Sequence, residues 1–138
     1  MAIRSLSPYV NFAGTAARAI ALYERVLGAV KVSVTRAGDV PGMKVPASGK
    51  DRILHAVLAL GGAQLMLSDA SGAVPAGGNV HVSLDFSDPQ EMSEKFAALA
   101  EGGSVTVPLQ ETFWGAKFGM VTDPFGVRWM LNCAGAQA

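Results

Sequence analysis

The residues of this sequence best suited to acid–base chemistry are His81 and Glu111. Imidazole is the side chain that titrates nearest to neutral pH, so His81 can act as a general base or hydrogen-bonding group, or can simply be satisfied on the inner face of a sheet. Glu111 precedes Phe113 and Trp114 and can serve as an acid, a base or a metal ligand, or can lie exposed. If a metal ion binds, His81, His55 and Glu111 are its candidate ligands.

Arg128 and Trp114 are candidates for holding a ligand rather than reacting with it. A guanidinium can bind a carboxylate or phosphonate through two parallel hydrogen bonds, and the alternative for Arg128 is a salt bridge with Asp85. Trp114, with Phe113, can form an aromatic wall of a pocket or pack into a core or interface. Cys133 is the single cysteine and has no basic neighbour in sequence, so neither a disulfide nor a catalytic thiolate is expected.

Composition limits the classes of function. A chain of 138 residues suits one domain, and its 11 basic and 11 acidic side chains cancel without a block of like charge. A nucleic-acid or anionic-membrane partner is therefore not expected, which leaves a small molecule or another protein chain. The apolar runs are too short to span a bilayer, and the first twelve residues lack the apolar segment of a signal peptide, so the cytoplasm is the expected compartment.

The first half of the chain predicts one helix and four strands. The helix follows Thr15 as N-cap, carries an apolar stripe at helical spacing and stops at Gly28. The strands are predicted over residues 6–13, 30–35, 53–60 and 63–68, with Gly61-Gly62 as a two-residue hairpin turn. The Gly- and Pro-rich residues 37–51 between the second and third strands form either a lid over a site or a mobile excursion.

The second half repeats that order after a connector over residues 70–79. A strand over residues 80–86 leads to a helix that starts at Asp88, with Pro89 in its first turn, and stops at Gly102-Gly103. An edge strand over residues 104–109 precedes a hairpin centred on Asp123-Pro124-Phe125-Gly126, the pattern of a type I turn. Asp123 is expected to be exposed, with its role explained by this turn.

An internal repeat links the two halves. GAQLMLSDA, residues 62–70, matches GVRWMLNCA, residues 126–134, with Gly, Met, Leu and Ala at the same offsets. A second correspondence sets three pairs side by side: Pro8 with His81, Thr15 with Asp88, and Tyr23 with Phe96. The sequence therefore predicts an α+β domain of two βαβββ modules, about residues 1–69 and 80–138.

Strand alternation predicts which side chains face away from each helix. In the first strand the register is open: either Tyr9 and Asn11, or Pro8 and Val10, point inward. The candidate ligand-binding residues are Tyr9, Gln64, Met66, Ser83, Trp114, Arg128 and Met130. Two thioethers among aromatic and polar groups are typical of a small-molecule pocket.

Four segments of the chain resemble a known family: LSPYVNFAGTAARAIALYERVLGA, ILHAVLALGGAQLMLSDA, HVSLDFSD and QETFWGAKFGMVTDPFGVRWMLN. They are similar to the PhnB-like branch of the vicinal oxygen chelate superfamily, which includes glyoxalase I, bleomycin-resistance proteins and extradiol dioxygenases. The resemblance implies an incomplete, curved β-barrel with the helices outside, and a homodimer. Some members of the branch carry a 3-demethylubiquinone methyltransferase-like label.

The resemblance also implies where a divalent metal would bind. Metal-using members place four ligands on inner strand positions, which fall here on Pro8 or Ser7, on His81, on Met66 and on Met130. Thioethers are poor ligands for metals that prefer nitrogen and oxygen, so no cofactor and no complete metal site is expected. The resulting prediction is a small-molecule-binding protein. The alternatives are a metal-dependent glyoxalase-like lyase, isomerase or dioxygenase using His55, His81 and Glu111, and a vestigial pocket in a protein whose role is association.

Overall fold

The computed structural model describes residues 2–46, 49–75, 77–112 and 115–134. The chain divides into two compact units, Met1–Pro75 and Ala76–Ala138, and this boundary falls inside the predicted connector over residues 70–79. In the described ranges both α-helices have 12 residues, so neither is long enough to cross a membrane.

Unit 1 is a four-stranded mixed sheet with one α-helix. Its elements are β1 (Tyr9–Phe12), α1 (Ala16–Leu27), β2 (Val30–Arg36), a short 3₁₀ turn (Ala37–Asp39), β3 (Ile53–Leu60) and β4 (Ala63–Asp69). The strand order is β1-β4-β3-β2, with β1 parallel to β4 and the other neighbours antiparallel. Gly61 and Gly62 form the predicted two-residue turn, since Leu60 pairs with Ala63.

Unit 2 repeats this topology. Its elements are β5 (Val82–Phe86), α2 (Pro89–Ala100), β6 (Ser104–Glu111), β7 (Lys117–Thr122) and β8 (Arg128–Cys133). The strand order is β5-β8-β7-β6, again with the first strand parallel to the last. The predicted α+β class with two βαβββ modules is therefore confirmed, and each described sheet is open rather than closed on itself.

The start of α1 has the predicted N-cap residue, but a different side chain makes the capping hydrogen bond. Thr15 precedes the helix as expected, but its side chain makes no capping hydrogen bond. The Asp69 carboxylate at the end of β4 accepts instead, from the N–H of Ala16 through Oδ1 and from the N–H of Ile53 through Oδ2, both at 2.9 Å. The helix is thus capped by a buried carboxylate from a distant strand. Gly28 ends it in the left-handed conformation, as predicted.

Helix α2 starts as the sequence predicts. The Asp88 carboxylate accepts from the N–H of Gln90 at 3.0 Å, and Pro89 occupies the first turn. The helix buries Met92, Phe96 and Leu99. Against it β7 has a glycine, Gly119, where an added Cβ would lie 2.7 Å from Phe96 Cε2. The missing side chain lets this helix approach its sheet closely.

Asp123 is buried rather than exposed, with 2% of its surface accessible, which contradicts the expectation from the turn motif. Its Oδ1 accepts from the N–H groups of Phe125 and Val127 at 2.9 and 3.1 Å. Its Oδ2 accepts from the indole Nε1–H of Trp129 at 2.9 Å. The indole, which lies on the buried face of β8, draws the carboxylate out of solvent, so Asp123 fixes both the turn and a core side chain.

The strand register sharpens the internal repeat. Tyr9 pairs with Met66 in unit 1 and Ser83 pairs with Met130 in unit 2, so Tyr9 and Ser83 occupy equivalent positions. The residue equivalent to His81 is consequently Ser7, and the match of Pro8 with His81 is wrong by one residue. The cause is local: three residues separate β1 from α1, whereas two separate β5 from α2.

The repeat extends to a β-bulge in the second strand of each unit. The register with β3 shifts between Lys31 and Ser33, and the register with β7 shifts between Val105 and Val107. The residues on either side of each bulge pair with equivalent residues of the third strand in the two units. Because a bulge bends and twists its strand, both sheets have the same irregularity at the same place.

The loop over residues 37–51 is tied at its base. The N–H of Ala37 donates to the carbonyl of Arg52, and the N–H of Gly38 donates to the carbonyl of Lys50, each at 2.9 Å. These bonds continue the β2–β3 ladder into the loop. Residues 47 and 48 lie outside the described residues, and the role of the loop as a lid stays a prediction.

Candidate functional site

Each sheet has one face that packs against the helix of its own unit and one that does not, which we call the far face. On β8 the buried residues Trp129, Leu131 and Cys133 alternate with the half-buried residues Arg128, Met130 and Asn132. On β4 Leu65 and Leu67 are buried towards α1, and Met66 between them points the other way. The alternation therefore places the predicted ligand-binding side chains of β4 and β8 on the far faces.

The far face of unit 1 contains Tyr9, Asn11, His55, Gln64, Met66 and Ser68. Its first strand resolves the open register: Phe12 is buried, while Tyr9 and Asn11 pair with Met66 and Ser68. Residues paired in register share a face of the sheet, so Tyr9 and Asn11 point away from the helix. The alternative register, with Pro8 and Val10 on this face, is wrong.

Two polar pairs organise the far face of unit 1. The Tyr9 hydroxyl lies 3.4 Å from His55 Nδ1, with the ring centroids 5.7 Å apart and tilted by 31°. The Ser68 hydroxyl donates to Asn11 Oδ1 at 3.0 Å. At 3.4 Å the first contact is long for a hydrogen bond, whereas the second holds an amide in place. Both pairs stand beside the Met66 thioether.

The far face of unit 2 contains Ser83, Asp85, Arg128, Met130 and Asn132, and His81 directly precedes its first strand. Met130 pairs with Ser83 on one side and with Met120 on the other, which places two thioethers side by side. The Asn132 amide donates from Nδ2 to Asp85 Oδ1 at 3.0 Å. This face therefore has an apolar centre and polar residues at both ends of β8.

Arg128 does not form the salt bridge with Asp85 that the sequence left open. Its Nη1 donates to the carbonyl of Gly78 at 3.5 Å, while Asp85 bonds to Asn132. Among the described residues, the salt bridge with a nitrogen–oxygen distance under 4 Å joins Lys31 Nζ and Glu24 Oε2, which lie 3.8 Å apart in unit 1. The guanidinium and the carboxylate of this face are thus not neutralised by each other.

His81 and Glu111 do not share a site within unit 2. His81 directly precedes β5, at one edge of the sheet, and is half-buried; Glu111 ends β6, at the opposite edge, and is exposed. Glu111 also pairs with Lys117, whose ammonium donates to Ser93 on α2, so this pair lies on the helix side. His55 lies in unit 1, and Phe113 and Trp114 lie outside the described residues.

The four positions at which the family resemblance would place a metal do not form a suitable ligand set. Met66 and Met130 occupy the last-strand positions on the far faces, and the first-strand positions fall on Ser7 and His81, just before β1 and β5. Divalent Zn, Mg, Mn and Fe prefer nitrogen and oxygen ligands over thioethers. Within residues 2–46, 49–75, 77–112 and 115–134, no three His, Cys, Asp or Glu side chains gather as a metal site. The residues at these four positions therefore do not suit a divalent metal ion.

The sequence did not single out Met120 as part of the site. Strand alternation in the sequence already points Asp85 and Asn132 inward, but neither was among the candidate ligand-binding residues. Met120 enters because it pairs with Met130, and Asp85 enters because Asn132 fixes its carboxylate. Alternation along β7, where Gly119 and Val121 are buried on either side of Met120, was the available signal. The Asn132–Asp85 bond depends on strand pairing and has no local signal.

Comparison with known proteins identifies the family. The family model described as Glyoxalase/Bleomycin resistance protein/Dioxygenase superfamily matches residues 5–131. Protein YjdN of Escherichia coli K12 is 39% identical over 141 residues, covering 92% of this chain and 93% of that protein. These matches span both units.

Solved structures agree with this assignment. Protein PA1353 from Pseudomonas aeruginosa is 42% identical with a TM-score of 0.84, covering 97% of this chain and 100% of that one. A protein from Bacillus cereus described as a putative 3-demethylubiquinone-9 3-methyltransferase, PhnB protein, is 24% identical with a TM-score of 0.77, covering 95% and 100%. At that identity the likeness concerns the fold alone. The resemblance predicted from the sequence is confirmed.

Proposed function

This chain belongs to the Glyoxalase/Bleomycin resistance protein/Dioxygenase superfamily, and we propose that it binds a small organic molecule on the far faces of its sheets without a complete metal site. The observation that carries the proposal is the grouping of the predicted ligand-binding residues. In unit 1 Tyr9, Gln64 and Met66 share the far face, and in unit 2 Ser83, Arg128 and Met130 do so.

The chemistry of these faces suits a molecule with an apolar part and a few polar groups. Half-buried Met66 and Met130 offer polarizable, flexible contact area in each unit. Hydroxyl, amide and guanidinium groups stand next to them and can fix the orientation of a bound molecule. A few well-placed polar groups around apolar contacts are the usual composition of a small-molecule site.

Within unit 2, His81 is the candidate for exchanging a proton with a bound molecule, because it directly precedes β5 and lies two residues before Ser83 of the far face. Glu111, the other acid–base candidate, lies at the far edge and helix side of the same sheet. Any reaction in this unit would therefore depend on His81 rather than on a His81–Glu111 pair. His81→Gln, which keeps hydrogen bonding without the titrating group, separates binding from proton transfer.

A panel of metabolites screened by thermal shift tests the binding proposal. A ligand at a hundred times its Kd stabilises the native state by about 2.7 kcal/mol, which is readily detected as a rise in Tm. We expect carboxylates and phosphonates among the stabilising molecules. Met130→Ala and Ser83→Ala should weaken their binding, whereas Val105→Ala, an exposed position on the helix side of unit 2, should not. A panel without any stabilising molecule would favour a role in association.

Elemental analysis tests the metal part of the proposal. Protein purified without a metal-affinity step should hold much less than one equivalent of Zn, Ni, Mn or Fe, and adding these ions should leave Tm unchanged. One tightly held equivalent that is lost in His81→Ala would contradict this and favour the metal-dependent alternative. Cys133→Ala is the matched control, since it removes a buried potential ligand away from the far face.

A homodimer in the cytoplasm is part of the same proposal. Each sheet has two edge strands, and β2 at one edge of unit 1 exposes Val30 and Val32 by 62% and 58%. Exposed edges favour pairing or cover, and a two-fold dimer is the commonest arrangement of identical chains. Size-exclusion chromatography with light scattering at micromolar concentration should give twice the mass of the chain, and a monomer would overturn the proposal.

A further inference from the structure

The far face of unit 2 has opposite charges at the two ends of β8. Arg128 starts the strand, and Asn132, four residues later, holds the Asp85 carboxylate of the neighbouring strand. At about 3.3 Å per residue these two positions are about 13 Å apart along the strand. This spacing between backbone positions is comparable with the length of a small metabolite.

Both charged groups keep bonding capacity for a ligand. Asp85 uses Oδ1 to accept from Asn132, and in the part of the chain that the structure describes no donor reaches its Oδ2. Arg128 has five N–H donors, and its described hydrogen bond is a single 3.5 Å contact with the Gly78 carbonyl. Asp85 is exposed and Arg128 is half-buried, so neither charge carries the desolvation cost of the core.

The segment between the two charges is mostly apolar. Met130 lies midway along β8, flanked by Ser83 on β5 and Met120 on β7. Two thioethers and one hydroxyl can contact an alkyl or aromatic segment and offer it one hydrogen bond. The face is therefore graded from cationic through apolar to anionic.

Unit 1 shows that the fold does not need these charges. The residues equivalent to Arg128, Asp85 and Asn132 are Gln64, Asn11 and Ser68, all neutral, and Ser68 donates to Asn11 as Asn132 does to Asp85. The same sheet geometry is thus built without charge in one unit and with charge in the other. The charges of unit 2 are better explained by what it binds.

We propose that the molecule bound on the far face of unit 2 is an elongated zwitterion: an anionic group for Arg128 and an ammonium or similar cationic donor for Asp85, joined by an apolar segment. This deepens the proposed function and rests on it. Hydrogen bonds to a charged group are the strong ones, so both ends contribute to affinity, and their separation selects the length of the ligand.

A series of α,ω-amino acids from 4-aminobutanoate to 10-aminodecanoate is the probe, with octanoate and octylamine as controls that lack one charged end. Binding is measured by calorimetry at low salt. Affinity should rise with chain length towards the eight- and ten-carbon members. The longer amino acids should bind at least about tenfold tighter than either control, since one charged hydrogen bond contributes a factor of that order.

Two variants, each removing one charge, assign the ends. Arg128→Gln installs the side chain of the equivalent position in unit 1. It should weaken the binding of the amino acids and of octanoate about tenfold and leave the binding of octylamine unchanged. Asp85→Asn keeps an acceptor for Asn132. It should weaken the binding of the amino acids and of octylamine but not the binding of octanoate. Arg25→Gln on α1 and Asp51→Asn in the long loop, both exposed in unit 1, are the charge-matched controls.

The outcomes separate this inference from the proposed function. Amino acids that bind no tighter than octanoate and octylamine, or equally at all lengths, overturn the zwitterion. The zwitterion proposal also fails if none of these probes binds while molecules from the metabolite panel still stabilise the protein. In that case the proposed function stands. If neither the series nor the panel binds, both proposals fail. Losses at both variants with the expected selectivity support the assignment of the two ends.

Discussion

Substituting Asp123 by Asn is the most informative single change on the helix side of unit 2. The carboxylate is 2% exposed and accepts on both oxygens: backbone N–H groups of the turn on Oδ1, and the Trp129 indole N–H on Oδ2. Asparagine has the same volume and is a good turn residue, but one of its two positions is an NH₂ donor. In either orientation that donor faces another donor.

The expected cost follows from the number of bonds affected. Asp123→Asn replaces at least one charge-assisted hydrogen bond, worth about 1.5–3 kcal/mol, and leaves buried donors unsatisfied at about 1–3 kcal/mol. We expect a loss of about 3 kcal/mol in the free energy of unfolding. For a chain of this size Tm changes by about 3 °C per kcal/mol, so Tm should fall by about 9 °C.

Urea denaturation followed by circular dichroism measures this loss, and an unchanged m-value would show that the unfolded state is unaffected. Asp88→Asn is the matched control, because Asp88 accepts one backbone hydrogen bond at an exposed N-cap where asparagine is equally good. A double-mutant cycle with Trp129→Phe isolates the indole bond, with a coupling of about 1.5 kcal/mol or more. A loss below about 0.5 kcal/mol in Asp123→Asn would refute the reasoning.

Two further predictions concern the helix side of each sheet. Asp69→Asn should lower the free energy of unfolding by about 1–3 kcal/mol, because one of the two backbone N–H groups that Asp69 accepts from is left unpaired. Thr15→Ala should lower it by less than about 0.5 kcal/mol, because the Thr15 side chain makes no capping hydrogen bond. Urea denaturation compares the two variants, and equal losses would contradict the assignment of Asp69 as the capping side chain. Gly119→Ala should cost about 1–3 kcal/mol, because its Cβ would lie 2.7 Å from the Phe96 ring, whereas Gly62→Ala meets nothing within 4 Å. If Gly119→Ala has no more effect on Tm than Gly62→Ala, the close approach of helix and sheet is not required.

Local sequence patterns predicted the secondary structure of this chain well, because residues at or within each helix mark where it begins and ends. The apolar stripe of α1 and Gly28 predict its extent, and Asp88 and Pro89 predict the start of α2. The N-cap position of α1, Thr15, was predicted correctly, but the side chain that accepts the capping hydrogen bond is Asp69, more than fifty residues away in sequence. A residue of the right type at the right place, Thr15, concealed a contact that only the folded sheet creates.

The faces of the sheets were predicted in part. Alternation within β4 and β8 was enough to predict that Met66, Arg128 and Met130 face away from the helices, since each strand alone decides its two faces. Matching one strand to another needed the register, and a one-residue difference in the loops before the helices shifted the partner of His81. The separation of Glu111 from His81 likewise depends on strand order, which places β5 and β6 at opposite edges.

The two units keep the same register but stabilise it with different buried carboxylates. Asp69 ends β4 in unit 1, and the equivalent residue of β8 is Cys133, while unit 2 relies on Asp123 in its turn. Both carboxylates act on the helix side of the sheet. The far face of unit 2 contributes half-buried and exposed residues, and its Asn132–Asp85 hydrogen bond is exposed. Substitutions at Met130 or Arg128 should therefore change binding far more than unfolding, and those at the carboxylates should do the reverse. This separation explains how one sheet geometry can present neutral residues in unit 1 and charged residues in unit 2.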